Sequence, residues 1–278
     1  HIPNICLWKA RGLDGTIDVL TRIVFHYGKM IFGRSVHKAL KRADFVFSAT
    51  LTTQREFKLW HNRETCYMPE NGLSIDPPSM AKYYIKGETL RLIWVGRIDS
   101  GKALTILLNA LELISKENWV LDVFGDGPLR KNMEKKTNRY GIKEKVRFHG
   151  NVSRDVSKTA MSKAHLHIIS STMEATTTVL FEAMENGVPT MTLDHCGMAG
   201  VVCDKCGIKI SIHSYKQIVH DMASNIQDII VNPNKINILF KGVLECAKKY
   251  TWKKRVEIFN QAYNKAKEHF QSKRKESL

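Results

Sequence analysis

Two glutamates, Glu174 and Glu182, stand eight positions apart and are separated by Ala175, three threonines and an apolar stretch. On a continuous helix they would lie ~12 Å apart along the axis and ~80° apart around it. This spacing suits two distant points on one long ligand better than a metal ion or an acid/base dyad. The small and hydroxylated residues between them indicate a helix start, where free backbone N–H groups can hold an anion. The pattern therefore predicts a sugar–diphosphate–ribose ligand.

Two cations, Arg97 and Lys102, follow the apolar stretch that ends at Gly96, in the loop Gly-Arg-Ile-Asp-Ser-Gly-Lys. A guanidinium offers diphosphate a planar fork of donors and an ammonium offers a point charge. Alone they would be two ordinary surface cations. If they share a sheet edge with the glutamates, they become candidate diphosphate ligands. The tight turn Gly125-Asp126-Gly127-Pro128 follows the next apolar stretch, and Gly125 would let a ligand approach the backbone.

The elements that must position these residues alternate regularly from residue 90 onward. Apolar segments that read as strands alternate with helical patterns, and this alternation predicts a doubly wound parallel α/β sheet. Strands are predicted at 90–96, 120–125, 146–149, 165–170 and 189–193, and helices at 103–114, 153–164 and 179–186. Such sheets bind ligands beyond the carboxyl ends of their strands. The loops after Gly96, Gly125, His149 and Ser170 are therefore expected to form the site.

The chain is expected to divide into four parts. Residues 1–80 are predicted to be a partial N-terminal, acceptor-side α/β segment, with a basic helical stretch near 16–42, a strand at 45–49 and a helix at 52–60. A polar linker is expected at 81–89, because prolines and polar residues gather before it. Residues 90–250 would be the nucleotide-binding domain and 251–278 a basic C-terminal helix with one apolar stripe.

Composition favours a folded protein with an acidic partner. The chain has 43 Lys and Arg against 27 Asp and Glu, a net charge of +16, and 43% hydrophobic residues. Its six cysteines form no regular framework and are expected to be free thiols in a reducing cytoplasm. Cys203 and Cys206 form one Cys-x-x-Cys, but no second pair follows, so we expect neither zinc nor redox chemistry there. No apolar run approaches the ~20 residues of a membrane span.

Three histidines are candidates for proton chemistry. His149 ends a predicted strand at the ligand edge, and His195 follows another. His165 lies within an apolar strand, which favours a packing role. No catalytic role follows from these positions alone.

Four motifs, in this order over about 120 residues, resemble those of the retaining GT-B glycosyltransferases of family 4. They are Gly96-Arg97 with Lys102, Gly125-Asp126-Gly127-Pro128, Phe148-His149-Gly150, and Glu174 with Glu182-Ala183, Gly187 and Pro189. Residues 43–48 and 69–73 are similar to the end of that family's N-terminal domain and its interdomain link.

The resemblance implies a GT-B fold: a Rossmann-like doubly wound sheet preceded here by a truncated N-terminal α/β segment. It implies a metal-independent hexosyltransferase that uses a UDP- or GDP-sugar, needs no cofactor, retains configuration, and acts on a polysaccharide or glycolipid. Catalytic roles would fall to Arg97, Lys102 and Glu174. The donor would be bound by Gly96, Gly125, Ala175, Thr176, Thr177, Leu180 and Glu182. Thr177 stands where many members have glycine.

Two alternatives remain open. Because 80 residues cannot supply the complete acceptor domain, the chain could be a non-catalytic nucleotide-sugar-binding module. Its charge also fits a nucleic-acid-binding protein, but it lacks a basic–aromatic platform, so no nucleic acid partner is expected. The basic, aromatic-bearing helix near 17–42 instead suggests an anionic surface at the inner face of the plasma membrane.

Overall fold

The structure is a computed structural model that describes residues 33–276 except 79, 80 and 173, together with isolated positions before residue 33. Most of the basic helix expected near 16–42 lies outside the described residues. Its last part is helix α1 (Arg34–Arg42). None of the helices in the described part of the chain combines the length and apolar character of a membrane span.

A six-stranded, wholly parallel sheet forms the centre of the molecule. Its strands are β3 (Leu90–Val95), β4 (Trp119–Phe124), β5 (Val146–Gly150), β6 (Leu166–Ile169), β7 (Thr190–Leu193) and β8 (Gly207–Ile210). The spatial order is β5-β4-β3-β6-β7-β8, so the winding direction reverses between β3 and β6. The doubly wound parallel sheet predicted from the sequence is confirmed.

Burial explains why these short segments become strands. Every residue of β6 and β7 is buried, as expected for parallel strands covered on both faces. The sixth strand, β8, was not predicted. Its sequence Gly-Ile-Lys-Ile is buried only at its two ends, and such a short, mixed segment gives a weak strand signal.

Helices cover both faces of the sheet. They are α3 (Leu104–Leu113), α4 (Arg130–Arg139), α5 (Arg154–Lys163), α6 (Thr178–Glu185), α7 (Met198–Val201), α8 (Tyr215–Val231) and α9 (Asn234–Ala247). Helix α3 buries six of its ten residues in the main core. Ser153 caps α5 as predicted, because its hydroxyl accepts a hydrogen bond from the Val156 amide at 3.4 Å.

The described N-terminal part contains a small strand–helix–strand unit. Strands β1 (Phe47–Ser48) and β2 (Cys66–Tyr67) pair in parallel, and α2 (Leu51–His61) connects them. The strand and helix predicted at 45–49 and 52–60 are therefore confirmed in type, with shifted ends.

The C-terminal helix α10 (Trp252–Glu276) returns to this N-terminal unit. The Arg255 guanidinium donates to the carbonyl oxygens of Pro69 at 2.6 Å and Asn71 at 2.9 Å. The Phe259 ring lies 5.3 Å from the Phe47 ring. The predicted apolar stripe is only partly used for packing: Ala262 is buried, but Val256 and Tyr263 are exposed.

The segment 81–89 has no helix or strand, but it is anchored to the sheet domain. Tyr84 is fully buried. Its backbone N–H and C=O form reciprocal hydrogen bonds of 2.9 Å with the Asn237 side chain on α9. The Lys82 ammonium also donates to the carbonyl oxygens of Ser162 at 2.7 Å and Ala164 at 3.1 Å. The division into domains stays a prediction.

Candidate functional site

The loops after β3 and β6 lie side by side where the winding reverses. The Ser170 hydroxyl donates to the Lys102 carbonyl at 2.8 Å, and the Thr172 amide donates to the Gly101 carbonyl at 2.9 Å. The loop that carries Arg97 and Lys102 is therefore tied directly to the loop that carries Glu174. The structure brings these two predicted groups of residues together at one sheet edge.

Lys102 and Glu174 form an ion pair between the two loops at this edge of the sheet. The Lys102 Nζ atom lies 2.5 Å from Glu174 Oε1, and both side chains are mostly buried. The second carboxylate oxygen, Glu174 Oε2, and the Thr176 hydroxyl are buried and have no hydrogen-bond partner among the described residues. Buried polar atoms are nearly always hydrogen-bonded, so these two atoms are suited to receive a ligand.

Asp99 shapes the loop that carries both cations. Its Oδ1 atom accepts hydrogen bonds from the amides of Gly101 at 3.0 Å and Lys102 at 2.9 Å. Its Oδ2 atom lies 3.6 Å from Arg97 Nε, while the Arg97 side chain is 72% exposed. The guanidinium therefore stays accessible to an anion. Asp99 was not among the residues predicted for the site, although an Asp before Ser-Gly is a common turn signal.

A cavity of about 550 Å³ lies beside Arg97, and its lining includes Gly96, Gly125 and Val152. Gly125 has φ +119°, and a Cβ atom there would lie only 2.0 Å from the Gly96 carbonyl oxygen. No other residue type fits this close contact, so the cavity wall is bare backbone at this point. Neither Glu174 nor Glu182 lines this cavity.

Glu182 lies on α6 and is only 7% exposed, as its apolar neighbours suggested. Its Oε1 atom accepts a hydrogen bond from Arg154 Nε on α5 at 2.5 Å. One turn further along each helix, the Lys158 ammonium lies 3.1 Å from Glu185 Oε2. Neither Arg154 nor Lys158 was predicted from the sequence to lie at the site. Arg154 and Lys158 are four positions apart and so lie on one face of α5, as Glu182 and Glu185 lie on one face of α6. This matching spacing of cations and carboxylates was the signal in the sequence that could have predicted the two ion pairs.

The residues before α6 form its N-terminal entry. Thr177 precedes the helix in extended backbone, and the Leu180 amide donates to its carbonyl at 3.2 Å. The Leu180 side chain is fully buried in the core. The Leu180 amide is therefore already paired and the residue has no exposed surface, whereas Ala175 and Thr177 are partly exposed.

Gly197 holds the Glu174 loop in place from the other side. Its amide donates to the Glu174 carbonyl at 3.3 Å, and a Cβ atom there would lie 1.5 Å from the Ala175 carbonyl oxygen. The Glu174 amide in turn donates to Cys196 Sγ at 3.4 Å. The loop after β7 thus positions the loop after β6.

The candidate histidines have different surroundings. His165 is buried, and this burial lowers its pKa to about 4, so the packing role predicted for it is confirmed. The His149 ring stacks on Phe124 with centroids 4.3 Å apart, and its Nε2 atom lies 2.7 Å from Asp122 Oδ1. His195 Nε2 lies 3.1 Å from the Thr172 carbonyl oxygen.

Residues 76–239 match the sequence profile of the family described as glycosyl transferases group 1. The chain belongs to this family. The match covers the sheet and the loops that carry the candidate site, and it contains every residue that the sequence analysis assigned to that site.

Two curated proteins resemble parts of this glycosyl transferases group 1 chain. An uncharacterized glycosyltransferase of Methanocaldococcus jannaschii is 26% identical over 119 residues, which are 42% of this chain and 30% of that protein. The sulfoquinovosyl transferase of Arabidopsis thaliana is 23% identical over 177 residues, which are 63% of this chain and 33% of that protein. The chain therefore spans about a third of the length of the curated relatives it matches.

The fold of this group 1 chain is similar to that of the pneumococcal O-GlcNAc transferase GtfA, solved with UDP and GlcNAc. The TM-score is 0.66 at 18% identity, over 85% of this chain and 47% of that one. This likeness and the parallel sheet confirm the Rossmann-like, GT-B type architecture expected from the motifs.

Proposed function

We propose that this chain binds the donor of a retaining GT-B glycosyltransferase of the family 4 type, which moves a hexosyl group from a nucleotide-diphosphate sugar to a polysaccharide or glycolipid. The observation that carries the proposal is the pairing of Lys102 with Glu174 at the winding reversal. A mostly buried cation there adjoins a carboxylate with one oxygen still unpartnered, next to the unpartnered Thr176 hydroxyl. This arrangement suits a ligand with an anionic part and a hydroxyl-rich part.

In this proposal each part of the donor meets a different group. The diphosphate lies between Arg97 and Lys102, with backbone amides of Ala175, Thr176 and Thr177 adding donors. Glu174 accepts hydrogen bonds from sugar hydroxyls. Glu182, held by Arg154, accepts them from the ribose. The backbone of Gly96 and Gly125 forms the wall of the cavity beside Arg97, which takes the base.

Lys102 has two successive partners in this scheme. Before the donor binds, its ammonium neutralises Glu174. When the diphosphate binds, the same ammonium contacts the phosphate oxygens. The Glu174 carboxylate then becomes available to the sugar. Donor binding thus exchanges one ion pair of Lys102 for another, and the sugar hydroxyls supply the hydrogen bonds that the Glu174 carboxylate then needs.

Transfer breaks the bond between the anomeric carbon and the diphosphate oxygen, and the nucleotide diphosphate leaves with the bonding electrons. The acceptor hydroxyl oxygen forms the new bond on the same face, and its proton passes to the departing phosphate. Negative charge grows on the diphosphate in the transition state, where Arg97 and Lys102 stabilise it most. These cations supply the charge that a metal ion gives in other transferases, so we propose a reaction without metal or other cofactor.

A thermal-shift screen with UDP-, GDP- and ADP-sugars tests donor binding. One donor class should raise the melting temperature, and Arg97→Ala and Glu182→Ala should each abolish that shift. An exposed cation on α4, Lys131, provides the control: Lys131→Ala should keep the full shift. Absence of a shift with every donor would overturn the proposal. Neighbours solved with UDP support UDP-sugars as the first choice.

A turnover assay separates transferase from binding module. Release of UDP or GDP from the stabilising donor, with or without a glycan acceptor, is expected of an enzyme. Saturable binding without any release would instead support a non-catalytic nucleotide-sugar-binding module.

We also propose an anionic membrane surface at the inner face of the plasma membrane as a partner. Support comes from the net charge of +16 and from helix α1, where Arg34, Lys38, Lys41 and Arg42 are exposed. Sedimentation with liposomes should increase with the fraction of anionic lipid. Equal sedimentation with neutral and anionic liposomes would remove this part of the proposal.

A further inference from the structure

Three cysteines from two distant parts of the chain converge in the structure. Cys203 Sγ lies 3.5 Å from Cys206 Sγ and 3.2 Å from Cys246 Sγ. All three sulfur atoms lie within 4.8 Å of one another. Sulfur ligands about 2.3 Å from one tetrahedral metal ion would be ~3.8 Å apart, so the observed separations fit a shared ion after small adjustments.

The turn between Cys203 and Cys206 directs backbone donors at sulfur. The Cys203 amide donates to Cys206 Sγ at 3.3 Å. The amides of Lys205 and Cys206 also donate hydrogen bonds to Cys203 Sγ. A turn whose amides face sulfur stabilises thiolate, the form that binds metal.

Gly242 explains how Cys246 reaches this turn. Both residues lie on α9, four positions apart and therefore on one face of the helix. A Cβ atom at Gly242 would lie 1.7 Å from the Lys205 carbonyl oxygen. Only a glycine allows the helix to lie directly on the Cys203–Cys206 turn, and this contact places Cys246 beside the pair.

The three sulfur atoms lie in an apolar environment that a metal ion can still reach from solvent. Cys206 and Cys246 are buried within an apolar cluster that includes Phe181, Met198 and Val243. Cys203 is partly exposed, so an ion can enter on its side. The positive charge of Lys249 acts on Cys246. Soft thiolates in such surroundings favour Zn²⁺ or Cu⁺ over hard cations.

We propose that Cys203, Cys206 and Cys246 form a binding site for Zn²⁺, with three thiolate ligands and a fourth position open to water on the side of Cys203. Binding releases one proton from each thiol that is protonated beforehand. The resulting complex carries one net negative charge, which the neighbouring Lys249 offsets. This site uses none of the residues assigned to the donor site and does not depend on the proposed function.

The expectation that these cysteines are incidental thiols considered only the residues near Cys203 and Cys206 in sequence. Cys246 comes from forty residues further along, so its place beside them depends on the packing of α9. A disulfide would use two of the sulfurs and leave the third unused, whereas a metal ion uses all three.

Metal retention tests the site directly. The full chain, purified with a non-thiol reductant, is loaded with excess Zn²⁺, desalted and analysed for metal by mass spectrometry. We expect about one Zn²⁺ per chain in the wild type and at least a fivefold loss in Cys203→Ser and Cys246→Ser. Cys66→Ser, which removes a partly buried thiol on β2, is the control and should retain the wild-type amount.

A second measurement on the wild type guards against variants that fail to fold. With Zn²⁺ present, alkylation by N-ethylmaleimide should spare Cys203 and Cys246 but modify Cys66, and Co²⁺ should give a thiolate charge-transfer band. No retained Zn²⁺ and equal alkylation with and without the ion would overturn the proposal. A disulfide between two of the three cysteines that persists after purification with the reductant would overturn it as well.

Discussion

The Nε atom of Arg154 on α5 lies 2.5 Å from Oε1 of Glu182 on α6, and this contact joins the two helices. The carboxylate is nearly buried, whereas the arginine side chain is 58% exposed. The carboxylate proposed for the ribose is therefore already paired, and Arg154 fixes its direction.

Removing Arg154 should destabilise the fold modestly. We expect Arg154→Ala to lower the free energy of unfolding by about 1 kcal/mol, because the exposed arginine is screened by water but its loss leaves Glu182 unpaired. A double-mutant cycle with Glu182→Ala, followed by urea denaturation, should give a coupling energy of about 0.5–1 kcal/mol. The exposed pair Lys235–Asp228 is the matched control, and its coupling should be near zero. Equal coupling in both cycles would contradict the assigned role of Arg154.

Lys102 should affect catalysis more than donor binding. In the proposed reaction the charge of Lys102 is needed most where the diphosphate departs, so Lys102→Ala should reduce kcat/KM on the order of 10²–10³-fold, mainly through kcat. Steady-state release of the nucleotide diphosphate measures this effect. Lys116→Ala removes an exposed lysine after α3 and should leave both constants unchanged. A change in KM alone would show that Lys102 only binds the donor.

Gly197 should be intolerant of a methyl group for steric reasons. A Cβ atom would lie 1.5 Å from the Ala175 carbonyl oxygen, so Gly197→Ala must displace the loop that holds Glu174. We expect a stability loss of about 2–3 kcal/mol, as for other overpacked sites, and at least a tenfold weaker donor affinity. Gly141→Ala is the control: its φ is +66° and nothing lies within 4 Å of the added carbon. It should cost about 1 kcal/mol from backbone strain and leave donor affinity unchanged.

Arg255 should be the most important residue of α10 for stability. Its buried guanidinium donates to the carbonyl oxygens of Pro69, Glu70 and Asn71. Arg255→Ala removes these charged hydrogen bonds and leaves the carbonyl groups without partners, so we expect a loss of about 2–4 kcal/mol in the free energy of unfolding. The neighbouring Lys254→Ala, at an exposed position, should change it by less than about 0.5 kcal/mol. Chemical denaturation of both variants makes the comparison.

Two buried histidines should make the protein sensitive to acid. Burial lowers the pKa of His165 to about 4 and that of His167 to about 3, against 6.5 in the unfolded chain. Below pH 6.5 the unfolded chain therefore binds protons that the folded chain does not. The stability contributed by both groups is complete above that pH and is lost progressively as the pH falls from about 6.5 to about 4 for His165 and to about 3 for His167.

Melting temperatures measured from neutral pH down to about pH 4 test this dependence. His167→Gln should make the decline shallower, because one of the two groups no longer titrates. His220→Gln, at an exposed position on α8, should keep the wild-type slope. A slope that is the same in all three proteins would rule out the buried histidines as its cause.

Local sequence patterns were sufficient for most of the sheet and for the loops that carry the site. Strands β3 to β7 were predicted because each is a short apolar run bounded by Gly, Pro or polar residues. Parallel pairing then required Arg97, Lys102 and Glu174 to share an edge, since the carboxyl ends of parallel strands lie together. Strand β8 was missed because only its end residues are buried.

The amino-acid sequence by itself determined the doubly wound sheet, the position of the candidate site at its edge and the family. Short apolar segments, glycine-containing turns and motif spacings are local properties, so they can be read without the tertiary structure. Only the tertiary structure decided the partners: Arg154 for Glu182, Arg255 for the backbone at Pro69, and Cys246 for the Cys203–Cys206 pair. Each of these contacts joins residues that are far apart in sequence. Their side chains meet only because helices pack across the sheet or against a close glycine, and no local pattern records that packing.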